Sequence, residues 1–121
     1  MYHLSIQTSI SAAHYLRNYQ GDCERLHGHN WKIEVVVASE QLGPADMVID
    51  FKDLNELTWG VVGKFDHQVF NEVPPFDKLN PTAENLSRYF YQQINKLLPR
   101  GVKVAKIKLW ETEKYCIEYS E

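Results

Sequence analysis

Apolar and polar residues alternate along the first fourteen positions of the chain. One parity carries the apolar set Tyr2, Leu4, Ile6, Ile10 and Ala12, and the other carries mostly serine and glutamine. A period of two is typical of a half-buried β-strand, because successive side chains of a strand point to opposite faces. His14 falls on the apolar parity. We therefore expect its imidazole to face inward.

The same alternation predicts a second strand at about residues 27–39. Its inward parity is occupied by His27, His29, Trp31, Ile33, Val35 and Val37. Between the two strands, residues 16–25 are polar and include Gly21, which predicts a loop. The first two elements are thus expected to form a hairpin with histidines near the connecting loop.

Two helical stripes follow the strands. Asp50 is a candidate N-cap for the first helix, and the apolar residues that recur at steps of three or four are Phe51, Leu54, Leu57, Val61 and Phe65. Residues 66–81 are irregular and contain several prolines. Thr82 is a candidate N-cap for the second helix, whose predicted buried stripe is Leu86, Tyr89, Phe90, Ile94, Leu97 and Leu98.

Two more strands are predicted near the end of the sequence, at about residues 102–111 and 115–119. The first of them places Ala105, Ile107, Leu109 and Glu111 on one face. The predicted element order is ββααββ. We expect an α+β fold, with an antiparallel four-stranded sheet and two helices on one of its faces, forming a single domain over residues 1–121.

Composition and charge exclude several classes of function. The chain has 121 residues, a formal net charge of −3 and scattered basic residues, so no nucleic-acid-binding surface is expected. No apolar run is long enough to span a membrane. The first residues lack the pattern of a signal peptide, which predicts a cytoplasmic protein whose Cys23 and Cys116 stay reduced. Glycine-rich motifs for nucleotides or nicotinamide cofactors are also missing.

The spacing of three histidines predicts a metal site. His27 and His29 lie two apart on a predicted strand, so their imidazoles project from the same face. His14 ends the neighbouring strand on its own inward parity. Three histidines with an open fourth position are typical of catalytic zinc, and the open position accepts water or substrate oxygens. The alternative is that these residues are polar strand ends and a buried core histidine.

Cys23 lies four residues before His27, in the loop between the two strands. Three interpretations follow from its position. It is a fourth zinc ligand in a closed structural site, a thiolate base whose pKa is lowered by the nearby metal charge, or an unreactive loop thiol.

Two other candidate sites contain a carboxylate. Asp66 directly precedes His67, and an adjacent carboxylate can orient an imidazole for general acid–base chemistry. Glu111 ends an otherwise apolar strand face, where a half-buried carboxylate needs hydrogen-bond donors. A ligand with a guanidine-like edge would supply two N–H donors.

Six motifs in order resemble the family of 6-pyruvoyl- and 6-carboxy-tetrahydropterin synthases. They are SAAHYL around His14, CERLHGHNW from Cys23, MVIDF from Met47, FDHQVFN from Phe65, PTAENL from Pro81 and WET from Trp110. Together they extend over nearly the whole chain.

The resemblance implies roles for individual residues and a quaternary structure. His14, His27 and His29 would bind Zn²⁺ and Cys23 would be the general base. Asp66 and His67 would be the second proton-transfer pair. Glu111, helped by Thr82 and Glu84, would anchor the 2-amino and N3 edge of a pterin. The resemblance further implies the tunnel-fold, in which the sheets of three subunits close into a barrel and two trimers form a homohexamer with interfacial sites.

The compact spacing between Cys23 and the HGH motif is similar to that of the bacterial carboxy branch. That branch would convert 7,8-dihydroneopterin triphosphate into 6-carboxy-5,6,7,8-tetrahydropterin, with loss of acetaldehyde and triphosphate, in queuosine biosynthesis. The sister activity, 6-pyruvoyl-tetrahydropterin synthase, would eliminate triphosphate without carbon–carbon cleavage. Two other classes are a non-catalytic, zinc-stabilised pterin-binding oligomer and a zinc hydrolase in which Glu24 or Glu111 activates water.

Overall fold

The computed structural model describes residues 1–20 and 25–121, and they form a sheet with two helices on one face. The strands are β1 (Tyr2–His14), β2 (His27–Ser39), β3 (Gln68–Val69), β4 (Lys103–Trp110) and β5 (Cys116–Tyr119). The helices are α1 (Phe51–Val62) and α2 (Ala83–Leu97). The predicted α+β class and all six predicted elements are confirmed. No helix in the described part of the chain is long and apolar enough to cross a bilayer.

The sheet has five strands in the order β3-β1-β2-β4-β5, so the four-stranded prediction was wrong. β3 pairs in parallel with Ala12 and Ala13 of β1, whereas the other three strand pairs are antiparallel. The extra strand has only two residues and lies in the irregular stretch after α1. Such a short strand has no periodicity of its own and forms only because β1 offers a free edge there.

A β-bulge corrects the predicted face of β4. The pairing of β2 with β4 shifts between Val36 and Val37, so Val104 rather than Ala105 is buried beside Ile107. An extra residue in one strand reverses the parity of every side chain beyond it, and sequence alternation does not show where this happens.

The helices begin at the predicted caps and cover the inward face of the sheet. The Asp50 carboxylate accepts from the backbone N–H of Lys52 at 2.7 Å, and the Thr82 hydroxyl accepts from that of Asn85 at 3.1 Å. α1 packs on β1, and α2 packs on β4 and β5. Two predicted core positions at helix ends are exposed: Phe51 is 60% exposed and Leu97 is 55% exposed. The core between helices and sheet is rich in aromatic residues, namely Trp31, Phe65, Phe70, Phe76 and Phe90.

Thr58 in α1 provides a stability prediction. Its side chain is fully buried, and its Oγ1 has no hydrogen-bond partner among the described residues. Because a buried polar atom without a partner is costly, Thr58→Val should stabilise the protein by about 1 kcal/mol in urea unfolding. Thr82→Val is the matched control, since it removes a hydroxyl that caps α2 and should destabilise by about 1 kcal/mol. A destabilised Thr58→Val variant would show that the Thr58 hydroxyl makes a hydrogen bond in the folded protein.

Candidate metal centre and its surroundings

The hairpin of β1 and β2 brings the three histidines to one end of the sheet. His14 pairs directly with His27 across the two strands, and Ala12 pairs with His29. All three side chains lie on the inward face, as their parity predicts. The imidazole rings of His14 and His29 lie 5.0 and 5.3 Å, centroid to centroid, from the indole of Trp31, which forms the floor of the cluster.

Backbone carbonyls fix the orientation of two of the imidazoles. The Nδ1 of His14 lies 2.8 Å from the carbonyl oxygen of Pro81, and the Nδ1 of His27 lies 2.6 Å from that of Arg25. Since a carbonyl only accepts, each Nδ1 carries the donated proton. In the neutral rings both Nε2 atoms therefore present lone pairs, and they face each other at 3.0 Å. Histidines that bind metals typically donate one ring N–H to a backbone carbonyl in this way and present the lone pair of the other ring nitrogen to the metal.

His29 contributes a third inward nitrogen. Its Nε2 is buried and has no hydrogen-bond partner among the described residues. Oε1 of Glu111 is 3.0 Å away, but the contact lacks hydrogen-bond geometry. A buried ring nitrogen with no donor or acceptor fits a ligand position better than a core position.

Glu111 follows the last residue of β4 and completes the cluster. Its Oε1 lies 3.6 Å from the Nε2 of His14 and 4.0 Å from that of His27. The four ligand atoms all lie within 4.8 Å of one another. Three imidazoles and one carboxylate form a donor set that Zn²⁺ binds. The residues present therefore fit the metal predicted from the sequence.

Burial lowers the pKa of His14 and of His29 below the ordinary value of 6.5, because the imidazolium form loses solvation there. In the metal-free protein the unfolded chain thus binds more protons than the folded chain below about pH 6.5. The contribution of His14 and His29 to the free energy of unfolding should be fully present above that pH. It should be lost as the pH drops through their lowered pKa values in the folded protein.

Urea unfolding of the chelator-treated protein at pH 7.5, 6.5 and 5.5 measures this dependence. The double variant His14→Gln, His29→Gln is the control and should show a flatter profile over the same window. If the free energy of unfolding depended on pH equally in the two proteins, the dependence could not be assigned to His14 and His29.

Asp66 and His67 lie at the outer edge of β1 next to this centre. The Asp66 carboxylate accepts from the backbone N–H of Ser11 at 2.9 Å, and this bond, followed by the charge of His67, lowers the pKa of Asp66. The Nδ1 of His67 lies 3.0 Å from Oδ1 of Asp66, so the carboxylate orients the ring. The His67 side chain is 80% exposed. Its backbone has a φ of 60°, a value that non-glycine residues rarely adopt and that often marks functional positions.

Two cavities flank the cluster. His29 and His67 both line a cavity of about 510 Å³ at the end of the β1–β2 hairpin. Glu84 and Glu111 line a second cavity of about 270 Å³, together with Ala83, Leu109 and Ile117. The structure thus brings Glu84 and Glu111 together, as expected for a shared ligand site. Cys23 and Glu24 lie outside the described residues.

Thr82 has a structural role in addition to the predicted binding role, since its hydroxyl oxygen caps α2. Its neighbour Pro81 supplies the carbonyl that holds His14. Sequence reasoning missed this carbonyl and the Arg25 carbonyl, because any residue can supply a backbone acceptor.

Two asparagines that were also missed clamp the chain directly after His14. Asn71 accepts from the backbone N–H of Tyr15 and donates to its carbonyl, and Asn80 does the same for Arg17. The only sequence signal for them is their presence in the irregular region.

Comparisons with known proteins agree with this architecture. Residues 3–121 match the family described as 6-pyruvoyl tetrahydropterin synthase. The chain is 35% identical over 112 residues to dihydroneopterin monophosphate aldolase of Pyrococcus furiosus, covering 93% of this chain and 91% of the relative. It is 33% identical over 123 residues to 6-carboxy-5,6,7,8-tetrahydropterin synthase of Aquifex aeolicus, covering 82% of this chain and 76% of the relative.

A solved structure shows the same fold. The 6-pyruvoyl tetrahydropterin synthase of Caenorhabditis elegans superposes with a TM-score of 0.88 at 24% identity, covering 99% of this chain and 95% of that chain. The agreement confirms the subunit fold that the sequence predicted for this family.

Proposed function

The chain belongs to the 6-pyruvoyl tetrahydropterin synthase family, and on that basis we propose that it is a zinc-dependent lyase acting on 7,8-dihydroneopterin triphosphate. The proposed reaction consumes one water and gives 6-carboxy-5,6,7,8-tetrahydropterin, acetaldehyde and triphosphate, as in queuosine biosynthesis. The observation that carries the proposal is the convergence of the Nε2 atoms of His14, His27 and His29, two of them oriented by backbone carbonyls.

In this mechanism His14, His27 and His29 hold the metal. A bound Zn²⁺ would supply Lewis acidity to the hydroxyl groups of the substrate side chain. Cys23 as thiolate removes a proton from that side chain, which explains why a cysteine stands four residues before His27.

The second proton-transfer group is His67. Asp66 fixes the ring through Nδ1, and this leaves Nε2 to deliver or accept a proton in the cavity that His29 shares. The Asp66 carboxylate stays ionised because the Ser11 backbone N–H stabilises the charge.

The pterin ring is assigned to the cavity lined by Glu84 and Glu111. A carboxylate accepts two N–H groups of a 2-amino-pyrimidinone edge at once, which distinguishes pterins from rings without that edge. No external hydride donor is needed, because hydrogen moves from the side-chain carbinols into the ring.

We also propose that the chain assembles as a homohexamer of two stacked trimers. Apart from the short β3 pairing, the outer edge of β1 has no ladder partner among the described residues, and neither has that of β5. Free edges of this kind pair with another chain or aggregate. Their pairing in a ring would close the sheets of three subunits into a barrel.

The test is incubation of the zinc-loaded protein with 7,8-dihydroneopterin triphosphate, followed by mass spectrometry of the products. A 6-carboxy product with acetaldehyde supports the proposal. A 6-pyruvoyl product would assign the chain to the sister activity instead. Binding of the pterin without any turnover would favour the non-catalytic oligomer.

A second candidate function is favoured by the relative from Pyrococcus furiosus, which is named as an aldolase for dihydroneopterin monophosphate. Such an enzyme would cleave the bond between the first two side-chain carbons. The products would be a hydroxymethyl-dihydropterin and glycolaldehyde phosphate. Glu24, next to Cys23 in the sequence, offers a carboxylate base for that reaction. Release of glycolaldehyde phosphate from dihydroneopterin monophosphate would establish it.

A further inference from the structure

We propose that Glu111 is a fourth ligand of the metal in the substrate-free protein, and that it leaves the metal to bind the pterin ring when substrate enters. The second half of this proposal rests on the proposed function, since it needs a pterin as the ligand of Glu111. The first half concerns only the metal and the chain's own residues.

The separations between ligand atoms carry the first half. Four ligands at zinc distances of about 2.0–2.2 Å in a tetrahedron lie roughly 3.3–3.6 Å from one another. Oε1 of Glu111 is 3.0, 3.6 and 4.0 Å from the Nε2 atoms of His29, His14 and His27. These distances bracket the tetrahedral value. Glu111 therefore stands where the sequence predicted an open position.

The chemistry of the contact points in the same direction. The carboxylate faces inward nitrogens of His14 and His27 whose protons are committed to backbone carbonyls on the other side of each ring. No lysine or arginine among the described residues lies within 4.0 Å of Glu111. A metal cation between the four groups would compensate the half-buried carboxylate charge.

The second half follows from the location of the same carboxylate. Glu111 also lines the 270 Å³ cavity, whose other walls include the apolar side chains of Ala83, Leu109 and Ile117. Its backbone N–H donates to the carbonyl of Tyr115 at 3.0 Å, so the main chain is held and the exchange needs only side-chain rotation. When Glu111 leaves the metal to bind the pterin ring, one coordination position becomes free. The substrate hydroxyls can then bind the metal at that position.

Cobalt substitution tests the ligand directly, because the visible bands of Co²⁺ report its coordination. We expect Glu111→Gln and Glu111→Asp to change the bands of the Co²⁺-loaded protein. They should also raise the Co²⁺ dissociation constant by at least ~10–100-fold, the loss typical when even an outer partner of a ligand is removed. Glu84→Gln is the matched control: it removes a carboxylate from the same cavity and should leave bands and affinity unchanged. Circular dichroism confirms that each variant is folded.

Addition of 6-methylpterin, which has no side-chain hydroxyls, tests the exchange. In the wild-type Co²⁺ protein the bands should shift toward those of ligand-free Glu111→Gln as the pterin saturates. Unchanged bands and affinity in both Glu111 variants, or failure of the wild type to bind Co²⁺, would overturn the assignment of the ligand. Saturation with 6-methylpterin without a band shift would overturn the exchange. Absence of turnover, by contrast, would refute the proposed function and leave the cobalt result standing.

Discussion

Replacement of His29 by alanine is expected to lower the affinity for Zn²⁺ by about 100-fold or more and to abolish turnover. The binding free energy of a four-ligand protein zinc site is about 10–16 kcal/mol, so one ligand accounts for roughly 3 kcal/mol, or about 100-fold. His29 is the most suitable of the three histidines for this experiment. The described residues provide no backbone hydrogen bond to its Nε2, so the substitution breaks no such bond.

Competition with a chromophoric chelator measures the affinity of the His29→Ala variant, and metal analysis after dialysis measures the zinc content. His67→Ala is the matched control. Its imidazole is exposed and does not belong to the four-residue cluster, so this variant should retain zinc. Zinc that is bound equally well by His29→Ala would refute the metal centre.

Cys23→Ala is expected to lower the turnover number by about 10²–10⁴-fold, the usual contribution of general acid–base catalysis, while zinc content stays at the wild-type level. The physical reason is that three histidines and Glu111 already form a four-donor set without a thiolate. Single-turnover kinetics with 7,8-dihydroneopterin triphosphate, alongside metal analysis, measure both quantities. Loss of zinc in this variant would instead identify Cys23 as a metal ligand.

Glu24→Gln separates the two lyase activities in the same experiment. If Cys23 is the base of the synthase, this variant keeps the 6-carboxy product. If the chain is an aldolase with Glu24 as base, the variant loses the release of glycolaldehyde phosphate. Retention of aldolase activity in Glu24→Gln with its loss in Cys23→Ala would assign that reaction to the thiolate.

Much of the site could be predicted because it depends on side-chain parity. His14, His27 and His29 each fall on the inward face of a strand, and two adjacent antiparallel strands bring inward residues at their joined ends together. The contact between Asp66 and His67 was likewise predictable from their adjacency. The position of Glu111 against the histidines was not, because it depends on the register in which β4 pairs with β2, where Trp110 at the end of β4 lies opposite Lys32.

The sequence by itself determined the features that arise from local interactions. Alternation fixed the inward face of β1 and β2, and the caps Asp50 and Thr82 fixed where the helices begin, since each cap bonds a residue two or three positions away. Tertiary structure alone decided the pairing of β3, the bulge in the β2–β4 ladder and the Pro81 carbonyl that holds His14 across 67 residues of chain. These features join distant segments, and their formation depends on the path of the whole backbone, which no local pattern of residues encodes.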